Sequence, residues 1–214
     1  NRAVEQGLTI DRSPFRHVYT GIGKTVKRAV PVQVIRRIKS LDLSFDRALQ
    51  RSRDLFMFSF YTRGMPFVDM ANLKKTDLRN GVLAYRRKKT GQRLYIKWEK
   101  PMQNIVDRYQ DASSPYLLPI IATPGKGERR QYLNAIHLVN RHLRIIGGMA
   151  GSSIPLTTYV ARHCWASIAK SRNIPIATIS EAMGHDSEST TRIYLASLDT
   201  SVVDDANSKV IGSI

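Results

Sequence analysis

Residues 156–199 read LTTYVARHCWASIAKSRNIPIATISEAMGHDSESTTRIYLASLD, and their periodicity sets the architecture of this part of the chain. Apolar side chains recur at helical spacing through Val160, Cys164 and Ile168, and the run breaks at Asn173 and Pro175. A second helical run spans Ile176 to Met183 and stops at Gly184. A third begins near Ser187, where Asp186 and Glu188 place negative charge at the positive end of a helix. Three short helices therefore carry Arg162, His185 and Tyr194. A guanidinium, an imidazole and a phenol are groups that a phosphoryl-transfer site can use.

Upstream of this block, Tyr132 to Ile146 has helical spacing and is expected to close at Gly147-Gly148, after a loop from Ser113 to Gly127. Glu99 to Tyr109 is a further helix. Between them and the N-terminal part the period changes: VLAYRR (82–87) and RLYIKW (93–98) alternate apolar and polar residues around Lys88-Lys89-Thr90-Gly91. That pattern predicts a two-stranded hairpin with a basic turn. Leu41 to Tyr61 is the most hydrophobic stretch, with Ser44 as N-cap, Asp46 in the first turn and an apolar stripe of Leu49, Leu55, Phe56 and Phe60. It is the expected central core helix. Met65 to Leu73 and Pro31 to Lys39 are shorter helices, the first entered through Gly64 and Pro66.

Before them, residues 8–30 are basic and contain Pro and Gly, as expected of a linker, with Lys24, Lys27 and Arg28 either holding phosphates or lying on a solvated loop. NRAVEQG (1–7) resembles the middle of a helix, and the chain starts at Asn1 rather than Met. The sequence is therefore expected to lack an N-terminal part. Past Tyr194 the tail leans acidic (Asp199, Asp204, Asp205).

The chain holds 34 Lys+Arg against 17 Asp+Glu, a net charge of +17 in 214 residues. Such an excess points to a polyanionic partner, and the absence of a basic amphipathic anchor favours nucleic acid over lipid. No apolar run approaches the length of a membrane span. The single cysteine, Cys164, excludes a disulfide framework, fits a reducing compartment and falls on an apolar helix face. No cluster of carboxylates or of Cys and His has ligand spacing, which argues against a metal site and a two-metal nuclease.

YVAR (159–162), MGH (183–185) and TTRIY (190–194), in that order and with His185 nine residues before Tyr194, resemble the signature of the tyrosine recombinases, the phage-integrase family. The resemblance extends over nearly the whole chain, to about Asn207. It implies a mainly α fold with a small antiparallel β-sheet, the recombinase catalytic domain, over residues 24–214. Residues 1–23 would then be a remnant of the core-binding domain and its linker.

The resemblance also implies the activity, site-specific breakage and rejoining of double-stranded DNA through a 3′-phosphotyrosyl link, with no cofactor. Tyr194 matches the nucleophile, Arg162 the second catalytic arginine, and His185 the position that hydrogen-bonds the scissile phosphate. Lys89 matches the hairpin lysine taken as general acid, with Arg86, Arg87 and Lys88 as neighbours in an open register.

Two positions depart from the pattern. Tyr159 stands where histidine is usual, able to donate a hydrogen bond but a poor base near neutral pH. His163, beside Arg162, points about a hundred degrees away on a helix and is not taken as its substitute. In Thr62-Arg63-Gly64-Met65-Pro66-Phe67-Val68-Asp69, Pro66 takes the slot of the first arginine, and Arg63 is assigned to that role. If the segment is helical, positions three apart share a face and the assignment is straightforward; a loop would weaken it. Asp69 is expected to hold the site together.

The family further implies a homotetramer on DNA with exchanged C-terminal tails, and a bacterial cytoplasmic, nucleoid-associated location. A catalytically decayed DNA-binding protein on the same scaffold and a type IB topoisomerase are the alternatives.

Overall fold

A computed structural model describes residues 2–10, 29–196 and 211, with the backbone alone for 193, 194 and 196. The boundary at residues 23 and 24, the basic group Lys24, Lys27 and Arg28, and the acidic tail residues lie outside the described residues. In chain order the elements are α1 (Arg2–Glu5), α2 (Val32–Ser40), α3 (Arg47–Tyr61), α4 (Phe67–Asn72), a 3-10 turn (Lys75–Asp77), β1 (Leu78–Arg79), β2 (Val82–Arg86) and β3 (Arg93–Lys97). They continue with α5 (Lys100–Tyr109), α6 (Glu128–Met149), α7 (Thr158–Ser171), α8 (Ile176–Met183) and α9 (Glu188–Ala196). The fold is mainly helical with one small antiparallel sheet.

Helix α3 is the centre, packed against α2, α5, α6 and α7. Leu55, Phe56, Met57 and Phe58 are all buried, so this helix is covered on more than one face. Each such side chain contributes on the order of 2 kcal/mol. Its start differs from expectation. Asp46, not Ser44, is the N-cap, and one carboxylate oxygen accepts from Ala48 N (2.8 Å) and Leu49 N (3.1 Å). Two otherwise orphaned N–H groups are satisfied there, and replacing Asp46 by Ala is expected to cost about 1 kcal/mol, read as a lower midpoint in urea unfolding. The polar residues of α3 are likewise paired. Buried Asp54 receives Arg53 Nε at 2.6 Å, Tyr109 Oη at 2.8 Å and Arg108 from α5.

The sheet has three strands in the order β1-β2-β3. Tyr85 faces Leu94 and Leu83 faces Ile96 across the β2–β3 pair, and all four side chains turn inward. The third strand, β1, was not anticipated; it joins β2 through the two-residue turn Asn80-Gly81.

Helix α6 also departs from expectation. It begins at Glu128 and runs through Gly147-Gly148 to Met149. The absent side chain at Gly147 serves packing, because a Cβ there would stand 2.9 Å from Leu156 Cγ. Cys164 is fully buried on α7, where Val30 N donates to its Sγ (3.3 Å), and burial pushes its thiol up to about 11. A second, smaller apolar cluster (Ala166, Ala169, Ile179, Met183, Leu195) joins α7, α8 and α9. No helix among the described residues is long and apolar enough to cross a membrane.

Candidate active site

The turn after α3, α7 and the end of α8 meet at Arg162, and the β2–β3 turn (87–92) joins them through Arg87. The turn after α3 is tied back to its helix. Thr62 Oγ1 donates to Phe58 O (2.7 Å), Ser59 Oγ donates to Met65 O (2.7 Å), and Gly64 N donates to Ser59 O (2.8 Å).

Arg63 and Gly64 both adopt left-handed backbone, with φ of 60° and 72°. The segment is thus a turn and not a helix, so Arg63 and Pro66 do not share a helix face. Pro66 restricts the residue before it to extended backbone, so α3 cannot continue, and Pro66 caps the start of α4 instead. Arg63 stays half-buried within electrostatic reach of the cluster. Burial raises the Tyr85 phenol, as does Asp69, while the charges of Arg87, Arg162 and Arg63 oppose the rise.

Gly64 is where a side chain is excluded most severely. Its φ already disfavours an L residue, and a Cβ would lie 2.6 Å from Arg162 Cα. Gly64→Ala is expected to lose about 2–4 kcal/mol of stability. The check is a fall of about 5–15 °C in Tm.

Arg162 is only 3% exposed. Its Nη1 donates to Gly64 O (2.9 Å), and its Nη2 lies 2.7 Å from Met183 O and 2.9 Å from His185 Nε2. One guanidinium therefore bonds the turn after α3, the end of α8 and the imidazole.

Arg87 braces the same region. Its Nη1 donates to Met183 O (3.0 Å) and Gly184 O (2.6 Å), and its Nε stands 3.5 Å from Asp69 Oδ2. That last separation is long for a hydrogen bond, so the contact with Asp69 is chiefly ionic. Asp69 Oδ1 accepts from Lys88 N (2.9 Å), fixing the hairpin to α4, and burial holds the Asp69 carboxyl above its usual range against the pull of Lys88 N and Arg87. Gly184, with φ of 63°, ends α8 where a Cβ would lie 2.7 Å from Arg87 Cδ. Arg87, a neighbour of Lys89 in the open register of the basic turn, is an internal strut at 6% exposure. The signal was present, since Leu83, Tyr85 and Arg87 are successive inward positions of one alternation.

His185 is half-buried and its Nδ1 lies 2.7 Å from Thr191 Oγ1. Arginine has no acceptor, so Nε2 accepts from Arg162 and Nδ1 carries the proton in the neutral ring. Desolvation first, and then the charges of Arg162, Arg87 and Lys89, lower its pKa from 6.5 to about 4. Below pH 6.5 the unfolded chain binds a proton that the folded protein refuses until about pH 4. Stability is therefore complete above pH 6.5 and falls as pH drops through that window. Urea unfolding at a series of pH values is expected to show a steeper loss for the wild type than for His185→Gln; parallel curves would contradict the assignment.

Of the remaining residues singled out in the sequence, Lys89 is exposed on the hairpin turn and acts on His185 through its charge. Tyr159 is 42% exposed on α7, its ring at 4.7 Å edge-on to that of buried His163. Tyr194 has its backbone in α9, and its side chain lies outside the described residues. Thr191 was not anticipated at all, although its place one helical turn before buried Leu195 marks the inner face of α9. Among the described residues no group of three or more His, Cys, Asp or Glu could hold a metal ion.

The profile of the phage integrase family matches residues 34–201. The tyrosine recombinase XerA of Pyrococcus furiosus is 28% identical over 178 residues, which cover 81% of this chain and 58% of that protein. The chain thus spans under two thirds of that relative's length. Among solved structures, the XerH site-specific recombinase bound to palindromic difH substrate, a post-cleavage complex, superposes with a TM-score of 0.63 at 18% identity, covering 89% of this chain and 55% of that one. A lambda integrase tetramer bound to a Holliday junction gives a TM-score of 0.60 at 17% identity, covering 90% and 56%. At these identities the structures share the fold.

Proposed function

The chain belongs to the phage integrase family, the tyrosine recombinases, and from that premise we propose that it is the catalytic part of a site-specific DNA recombinase that works through a 3′-phosphotyrosyl intermediate. The observation that carries the reading is the bond of Arg162 to His185, 2.9 Å long, between two residues at the family's motif positions. A guanidinium held by two backbone carbonyls needs little reorganisation when charge develops on a phosphate beside it.

In the reaction Tyr194 releases its phenolic proton to solvent and its Oη attacks the scissile phosphorus; a Tyr–O–P bond forms and the bond to the 5′-oxygen breaks. A phenol of pKa about 10 is a weak nucleophile, and nearby cations lower the cost of its ionisation. Arg162 and Arg63 stabilise the non-bridging oxygens, His185 orients the phosphate, and Tyr159 adds a hydrogen-bond donor from α7. Lys89, exposed on the hairpin, gives its proton to the leaving oxygen. A second 5′-hydroxyl then attacks the phosphotyrosine, restoring a phosphodiester on another strand. The structures of DNA-bound relatives and the charge of +17 support double-stranded DNA as partner. Tail exchange within a tetramer on DNA, in a bacterial cytoplasm, completes the proposal.

The test is a nicked DNA substrate, from which the short fragment bearing the released 5′-hydroxyl diffuses away and traps the intermediate. Sites are sought in the DNA flanking the gene. A covalent adduct in a denaturing gel, mapped to the peptide containing Tyr194, is the expected result. Tight binding to a verified site with no adduct would leave a non-catalytic DNA-binding protein.

A further inference from the structure

We propose that Thr191 is a positioning residue that ties the helix bearing Tyr194 to the Arg162 site through the imidazole of His185. The inference deepens the recombinase reading and rests on it.

Thr191 is fully buried, and its Oγ1 lies 2.7 Å from His185 Nδ1. The other ring nitrogen faces Arg162 Nη2 at 2.9 Å, a group that only donates. The ring is therefore a directed relay: Arg162 donates to Nε2, and Nδ1–H donates to Thr191 Oγ1. Thr191 precedes Tyr194 by three residues within α9, less than one helical turn. A tether at Thr191 thus sets the height and rotation of the turn that carries Tyr194.

Helix α9 packs against α8 and α7. Leu195 joins the small apolar cluster, and Lys170 Nζ donates to Leu195 O at 3.4 Å. Leu195 anchors α9 beyond Tyr194, and Thr191 anchors it before. Apolar packing tolerates a small rotation of the helix, whereas a hydrogen bond to a ring held on both nitrogens does not. Val at 191 would fill the same volume and remove the oxygen that stands 2.7 Å from Nδ1. The sequence alone gives no such role, because a threonine on a short helix has no evident partner.

The experiment compares wild type with Thr191→Val and Thr191→Ser in the same protein. One readout is the rate of adduct formation on the nicked substrate, alongside DNA affinity. The other is the His185 Nδ1–H proton, observed by NMR in protein carrying 15N-labelled histidine, without DNA. Wild type and Thr191→Ser are expected to show the protected Nδ1–H resonance, and Thr191→Val to lose it. Adduct formation should fall about 10- to 100-fold in Thr191→Val, as when the partner that orients a functional histidine is removed, with Ser restoring it and DNA affinity unchanged. Absence of the protected resonance in wild type overturns the tether, as does a Thr191→Val rate equal to wild type. A Ser variant as slow as Val also overturns it, because the hydroxyl would then not be the active feature. Failure of wild type to form any adduct on a verified site would overturn the catalytic reading and Thr191's role in it, while the resonance would still report on the bond itself.

Discussion

Tyr194→Phe is expected to bind the recombination site as tightly as wild type and to form no covalent adduct. The substitution removes one oxygen and keeps the ring, so the loss is confined to the nucleophile. Contacts to DNA phosphates are expected to come from the Arg and Lys excess, and this variant alters none of them. Binding should therefore keep the same steep decline with salt. On the nicked substrate the wild-type protein–DNA band should be absent, a loss of at least about 10^4-fold where one chemical group is the whole reacting centre. An adduct surviving in the phenylalanine variant would assign the nucleophile elsewhere and remove the basis for the mechanism.

The second large effect is expected at Arg162, and it reads on stability and chemistry together. Gly64 O, Met183 O and His185 Nε2 all bond this guanidinium. Lysine carries the charge on one nitrogen at the end of a flexible stem and cannot span acceptors on three sides. Met183 O keeps its bond from Arg87, but Arg162→Lys cannot hold both Gly64 O and His185 Nε2, and the lost bond costs about 1–3 kcal/mol. Arg162→Ala adds a cavity and costs more. Both variants should melt earlier, and adduct formation by the lysine variant should fall by about 10^2- to 10^3-fold, as when a preorganised donor to a developing oxyanion is removed. DNA affinity should change little, because a side chain 3% exposed contributes little to long-range attraction. If Arg162→Lys cleaves at the wild-type rate, the arginine is a structural post and the phosphate is held by other groups.

How these residues come together separates local from distant information. The helices after residue 156 were legible because each is bounded by its own stop: Asn173 and Pro175 between α7 and α8, Gly184 after α8. The β2–β3 hairpin was legible from its alternation. The third strand was missed because two residues are too short to show a period, although the Asn80-Gly81 dipeptide was itself a hairpin signal. Gly147-Gly148 misled as a helix stop because a glycine selected for close packing looks the same in sequence as one selected for a turn. Asp46 and Ser44 are both good N-caps, and only the fold shows that the Asp46 carboxylate takes the N–H groups of Ala48 and Leu49.

The motif order, the family and the helix-rich fold were determined by the sequence itself, since periodicity, capping and spacing are properties of neighbouring residues. Tertiary structure alone decided the work that individual side chains do. Arg87 became an internal strut, Arg63 entered a left-handed turn, and Thr191 met an imidazole from the loop before its helix. The physical reason is that a hydrogen bond depends on positions to a few tenths of an ångström. Such positions arise only when α3, α7, α8 and the hairpin, segments separated by up to about 120 residues, pack around one buried guanidinium.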